Sequence, residues 1–244
     1  MMPNHTSKLR GAWVADLAWP EIERRIRSGA SAILPIGAAA KEHGRHLPLS
    51  SDQLQVEWLA SRLLEKANVL VWPTLTYGHY PAFSAFPGTC SLNAATFESL
   101  VEETLQSIFG CGIQSVLILN AGISTIAPLE RVIARAGRAI KVANIYRGRR
   151  YLKAEKKITQ QACGGHADEP ETSIMLVIAP GRVRIKRARP WAKREMQAGA
   201  LARNDESHPN YSPDGVYGDP TLASAKKGEQ LLAAMLEDIL HAIA

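Results

Sequence analysis

Four apolar runs, at residues 30–37, 68–75, 114–122 and 139–146, divide the chain into segments whose apolar positions instead recur at helical spacing. The runs are continuous rather than alternating, as in ASAILPIG and QSVLILNAG, and strands buried on both faces read this way. Residues 51–67, 94–112 and 126–137 carry apolar residues three and four apart, a helical segment begins near Asp168, and a closing helix is expected from about Leu222 to Ile243. Ser51 or Asp52 is placed to cap the first of these helices, and glycine stops the second. Strands alternating with helices predict an α/β fold, a three-layer α/β/α arrangement around a mainly parallel sheet. No Pro/Gly/Ser-rich linker interrupts the pattern, so residues 1–244 are expected to form one domain. The two long connections, 76–92 and 198–220, are of a length that compact α/β folds usually give to function.

Composition narrows the function classes. Apolar residues make up 46% and charged residues 21%, the balance of a soluble globule, and no apolar stretch approaches the roughly 20 residues of a membrane span. The first twenty residues lack the apolar core of a secretory signal, so the cytoplasm is the expected location. Cys90, Cys111 and Cys163 are an odd set without CxxC spacing, which argues against a disulfide framework or thiolate zinc site and for buried or inert thiols. The formal charge of +6 is concentrated at 146–157 and 182–194. Neither stretch interleaves aromatics at a regular spacing, which disfavours a nucleic-acid partner. Solvated faces, a collar for anionic substrates or subunit contacts fit such stretches better.

The candidate chemistry stands at strand ends and in loops. After the first run comes KEHGRHLPLSSD, with Lys41, Glu42, His43, His46 and Asp52. The 76–92 loop offers Tyr77, His79, Tyr80, Phe83 and Phe86 as walls of a small pocket, and the strand ending at Asn120 leads to Gly122, Ser124 and Thr125. A fourth segment, GGHADEPETS, offers His166, Asp168, Glu169 and Glu171. Each has a plain structural reading beside the functional one. His43 and His46 can brace the turn, Asp52 can cap a helix, Asp168 and Glu169 can occupy a helix's first turn, and the aromatics can be core.

Taken together, the frame LP.G......HG.HLPL..D, the loop FPGT.SL, the segment HA.E.ETS..L..AP..V and the late GVYGDPTLASAKKGE resemble the creatininase family of amidohydrolases, in order, across about residues 30–230. The resemblance implies a three-layer domain, frequent assembly into a hexamer, and a pair of divalent ions, zinc or manganese, that serve hydrolysis of non-peptide C–N bonds in small cyclic amides. It also implies ligands at a Glu and a His of the first motif, an Asp nine residues after that His, and a His at a strand end. Here Lys41 stands at the Glu position, and Gly122 at the strand-end His position, with Ser124 two residues on. A full two-ion centre is therefore not expected.

The expected site has His43, Asp52 and Glu171 holding at most one divalent ion that acidifies a water. His166 serves as acid/base group, and Lys41 or an amide near Gly122 steadies the developing charge. Tyr77, His79, Phe83, Gly122 and Ser124 contact a small polar substrate. The expected assembly is a homo-oligomer without membrane contact. The alternative is a metal-free, catalytically silent relative that binds a small ligand or a partner in the same cleft.

Overall fold

A computed structural model of the chain describes residues 9–191, 197 and 199–243. Five strands, β1 (Ala12–Trp13), β2 (Ser31–Ile36), β3 (Val69–Val71), β4 (Val116–Asn120) and β5 (Ile140–Asn144), form one sheet in the order β1-β3-β2-β4-β5. Every pairing is parallel, with Ile33 opposite Leu117 and Ile36 opposite Asn120 in the central pair.

The helices are α1 (Trp19–Arg27), α2 (Ser51–Leu63), α3 (Ala94–Gly110), α4 (Ile126–Ala136), α5 (Arg149–Ile158), α6 (Glu169–Ile178) and α7 (Ala225–Ile243). The sheet's continuous apolar runs split by strand alternation into two cores. Ile33, Val69, Val71, Leu117 and Leu119 meet α2, α5, α6 and α7 through Val56, Tyr151, Ile174 and Leu231. Ala32, Leu34, Leu70, Val116 and Ile118 meet α3 and α4 through Phe97, Val101, Leu129 and Val132, with Ile22 and Ile26 of α1 at the margin. This is the three-layer α/β/α arrangement that the pattern predicts.

Three elements depart from the sequence reading. β1 and α1 carry no long apolar run, and α5 occupies most of the basic stretch 146–157, whose strong amphipathicity is masked by five cationic side chains between Arg149 and Lys157, with Arg147 just ahead of them. The run at 68–75 narrows to Val69–Val71, because Pro73 lacks a ladder donor. The second basic stretch reaches residues outside the described set at 192–194, and residue 198 of the long loop is also outside it. Cys90 and Cys111 are exposed rather than buried, Cys163 is half-buried, and all three are free. Among the described residues no helix is long and apolar enough to cross a membrane.

Candidate active site

Strand order places the site. From β2 the chain moves to β3 on one side and then crosses to β4 on the other, so the carboxyl ends of β2 and β4 flank the sheet's switch point, where open α/β sheets leave a crevice. The chain leaves β2 at Gly37, where a Cβ would lie 2.6 Å from the Asp52 carbonyl oxygen, so glycine lets the strand end press against the start of α2. Lys41, Glu42 and His43 follow in a turn closed by Gly44 at φ +68°. Across the crevice, Asn120 locks the β4 exit. Its Nδ2 donates to the Gly122 carbonyl and to Asn144 Oδ1, both at 2.8 Å, and its Oδ1 accepts from Gly122 N and Thr125 Oγ1. Asp168 caps α6 by accepting the Glu171 amide at 3.3 Å. Ala167, just before the cap, is held at φ 48°, a left-handed conformation costly for a residue with a Cβ. Its amide donates to Glu171 Oε2 at 2.5 Å.

These elements bring together a buried polar cluster. Lys41 Nζ lies 2.7 Å from Asp52 Oδ2, and His43 Nε2 lies 2.9 Å from Asp52 Oδ1. The Lys41 ammonium also stands 5.0 Å from the centre of the Phe83 ring and 5.9 Å from that of Tyr80. Burial alone would push the Asp52 carboxyl up, but the Lys41 charge and the His43 contact hold it well below the usual carboxylate range. His166 packs on Phe83 with ring centres 4.3 Å apart. Its Nε2 is 2.8 Å from the Glu42 carbonyl and 3.2 Å from Glu42 Oε2. A carbonyl only accepts, so Nε2 carries the proton and Nδ1 is left facing Glu171 Oε2 at 3.7 Å. Burial works against charge on both His166 and Glu42, yet their mutual hydrogen bond and attraction raise the imidazole and lower the carboxyl.

His43, His166 and Glu171 each offer one ligand atom, all within 4.8 Å of one another. Asp52, expected among the ligands, is outside this group: one oxygen serves Lys41 and the other His43. Nor does it cap α2, where no side chain does so. The trio fits one ion. His43 Nδ1 is 2.9 Å from the Lys41 carbonyl, so each imidazole has one nitrogen tied to a backbone acceptor, as second-shell partners fix ligating histidines. With that proton on Nδ1, the His43 Nε2 that faces the Asp52 carboxylate requires either a second proton or a nearby cation.

A cleft of about 550 Å³ opens on the cluster, lined among others by Lys41, Phe83, Ala121, Ile123, Ser124, Tyr146, Tyr151, Glu155, His166, Asp168 and Glu171. Of the expected substrate contacts, Phe83 and Ser124 are there. Tyr77 is 55% exposed and, like His79 and Gly122, is not among the lining residues. His79 instead ties two loops, its Nδ1 3.0 Å from the Leu92 carbonyl and its own carbonyl accepting from Ser124 Oγ at 2.7 Å. The Gly122 amide is spent on Asn120 Oδ1 at 3.2 Å, so it offers no donor to a developing anion. His46 braces α6 through Thr172 Oγ1 at 2.8 Å, the structural role weighed for it. Glu42 stands in the first candidate segment without a role in the expected site; as neighbours on a strand Lys41 and Glu42 would face opposite ways, whereas in the glycine-bounded turn both reach the cluster. Sequence reasoning passed over Tyr146; its position just beyond the carboxyl end of β5 is the signal that finds it.

The fold and this cluster define an α/β protein with a polar, ion-ready site at the switch point of a parallel sheet. The profile of the creatininase family, described as creatinine amidohydrolase, matches residues 15–243. Creatinine amidohydrolase of Pseudomonas putida is 26% identical over 255 residues, covering 96% of both chains. The mycofactocin precursor peptide peptidase of Mycobacterium ulcerans (strain Agy99) is 29% identical over 237 residues, covering 88% of this chain and 84% of that one. A manganese creatininase structure shares the fold, with a TM-score of 0.82 at 22% identity over 96% of this chain and 97% of its own. The chain belongs to the creatininase family, a family of hydrolases whose characteristic reaction cleaves a non-peptide C–N bond.

Proposed function

We propose that this chain hydrolyses a non-peptide C–N bond of a small polar substrate, of the cyclic amide class, with one divalent ion, zinc or manganese, held by His43, His166 and Glu171. The observation that carries the reading is the convergence of these three buried ligand atoms and the Lys41 ammonium on one cleft. An ion held there supplies Lewis acidity and an acidified water. The chain's own groups do the rest. Glu42 anchors His166 through Nε2, which presents Nδ1 as ligand and takes His166 out of the acid/base role expected from the sequence. Lys41, lining the cleft, stabilises negative charge that develops on the substrate's carbonyl oxygen as water adds to the carbon. The C–N bond then breaks and the nitrogen leaves with the water's proton. Phe83 offers a flat apolar wall beside His166. Creatinine itself is not the proposed substrate, since Lys41 and Gly122 stand where the resemblance implies metal ligands. A homo-oligomer in the cytoplasm completes the proposal, and the exposed Ile123 and Leu152 at the cleft support the assembly.

Elemental analysis of protein purified without chelator or oligohistidine tag tests this. About one zinc or manganese per chain, absent from the His166→Ala and Glu171→Gln variants, is the expected result. Metal-free protein, even after supplementation, would overturn it. The weight would then pass to a ligand cradle without catalysis, which the neutralisation of Asp52 by Lys41 favours.

A further inference from the structure

The cluster is lopsided. Three ligand atoms converge from His43, His166 and Glu171, while the buried Asp52 carboxylate is divided, Oδ1 lying 2.9 Å from His43 Nε2 and Oδ2 facing the Lys41 ammonium. Lys41 Nζ sits 2.7 Å from Asp52 Oδ2, and both side chains are almost wholly shielded from water. The Phe83 and Tyr80 rings stand within 6 Å of the ammonium, so it is confined by the carboxylate and by two aromatic surfaces. A cation of unit charge already occupies the space in which a second ion would have to meet Asp52. A divalent ion at that carboxylate would lie within a few ångströms of the ammonium, and like charges so close repel strongly in a poorly solvated interior. The β4 exit supplies nothing to offset this, because Gly122 has no side chain and Ser124 Oγ is donated to the His79 carbonyl.

We propose that the Lys41 ammonium is the resident second cation of the site, fixing the occupancy at one divalent ion per chain and reserving the Asp52 carboxylate for the lysine. This rests on the reading of His43, His166 and Glu171 as an ion site, and deepens it by assigning the charge of the other half. Lys41 is then a positioning residue for the ion as well as a wall of the cleft. Its removal changes metal stoichiometry, an effect that a purely structural lysine would not have.

The test uses manganese(II) and zinc(II) as probes, read by native mass spectrometry and calorimetric titration on the full chain. Wild type is expected to bind one ion. Lys41→Glu, which replaces the blocking charge by a carboxylate beside Asp52, is expected to bind two. Lys41→Arg is expected to keep the stoichiometry at one. Because Lys41→Glu can fail to fold, Lys41→Met with Asp52→Asn, which removes both partners of the pair, serves as a second variant and is expected to stay at one. A wild type that binds two ions, or a folded Lys41→Glu protein that still binds one, would overturn the proposal. If wild type binds none and Lys41→Glu gains one, the exclusion by Lys41 stands while the His43/His166/Glu171 reading falls. No ion in any variant would bring down both.

Discussion

His46 shows how one buried side chain leaves a pH signature. Its Nε2 meets Thr172 Oγ1, its Nδ1 has no hydrogen-bond partner, and no part of it reaches solvent. Burial lowers its pKa from 6.5 to about 4, against the opposing pull of the Glu171 and Glu42 charges. The unfolded chain therefore takes up a proton near pH 6.5 that the folded chain refuses until about pH 4. Stability is lost as pH falls through that window. Asp168 has the opposite sign. Burial and the neighbouring Glu171 raise it to about 7, so the folded protein keeps a proton there that the unfolded chain releases at lower pH. The His46 contribution is isolated by difference: His46→Gln, which can retain the bond to Thr172, should lose less stability than wild type between pH 7 and 5, by about 1–2 kcal/mol. Urea midpoints at both pH values measure this, and parallel losses in the two proteins would refute it. At this scale the sequence exposes residue type but not direction. His43, His166 and Glu171 were all candidates from their motifs, whereas Asp52 turned toward Lys41, because charge pairing decides which way a buried carboxylate faces.

The elements legible in the sequence were those that pay their way by burial, the central strands and the helices with wide apolar faces. Of those that were not, β1, α1 and α5, the last is set by a contact distant in sequence. Its first turn has no cap from its own segment, since Gly148 occupies the cap position. Asp238 of α7 takes that role, accepting the Arg150 amide at 3.0 Å and the Tyr151 amide at 3.0 Å. A carboxylate at a helix's amino end also complements its dipole. No local motif announces a cap lying 88 residues away. The arrangement matters for the site, because α5 carries Tyr151 and Glu155 into the cleft wall, joined by a 3.0 Å hydrogen bond. Asp238→Ala should cost about 1–2 kcal/mol, the usual price of a lost cap, and lower the melting temperature by a few degrees. Asp238→Asn, which still accepts, should recover part of it. Gly148→Ala should be destabilising as well, because a Cβ there meets the Asp238 carboxylate. Calorimetric melting of the three variants checks the set, and an Asp238→Ala protein as stable as wild type would remove the cap from the account.

For the molecule as a whole, one sheet separates two apolar cores, and the ionisable residues of the site come from loops and helix starts at the sheet's carboxyl edge. Lys41 and His43 leave β2, Asp52 opens α2, and His166 and Glu171 flank the start of α6. Departures from the family pattern can therefore accumulate at that edge while the layers keep their packing, which is consistent with a retained fold at 22% identity. The separation of the cores is itself measurable. Ile33 faces the layer of α2, α5, α6 and α7, and Ile118 faces α3 and α4, with both side chains fully buried. Ile→Val at either position removes one methylene and should cost about 0.5–1.5 kcal/mol. The two side chains occupy different cores on opposite faces of the sheet, so a cavity at one has no wall in common with a cavity at the other. The double variant should then lose the sum of the single losses to within about 0.5 kcal/mol. Urea unfolding of wild type, both single variants and the double variant supplies the cycle. A coupling well above that limit would mean that the backbone of the central strands transmits strain between the layers, and a substitution in either core would then be felt at the β2 and β4 ends where the cluster is assembled.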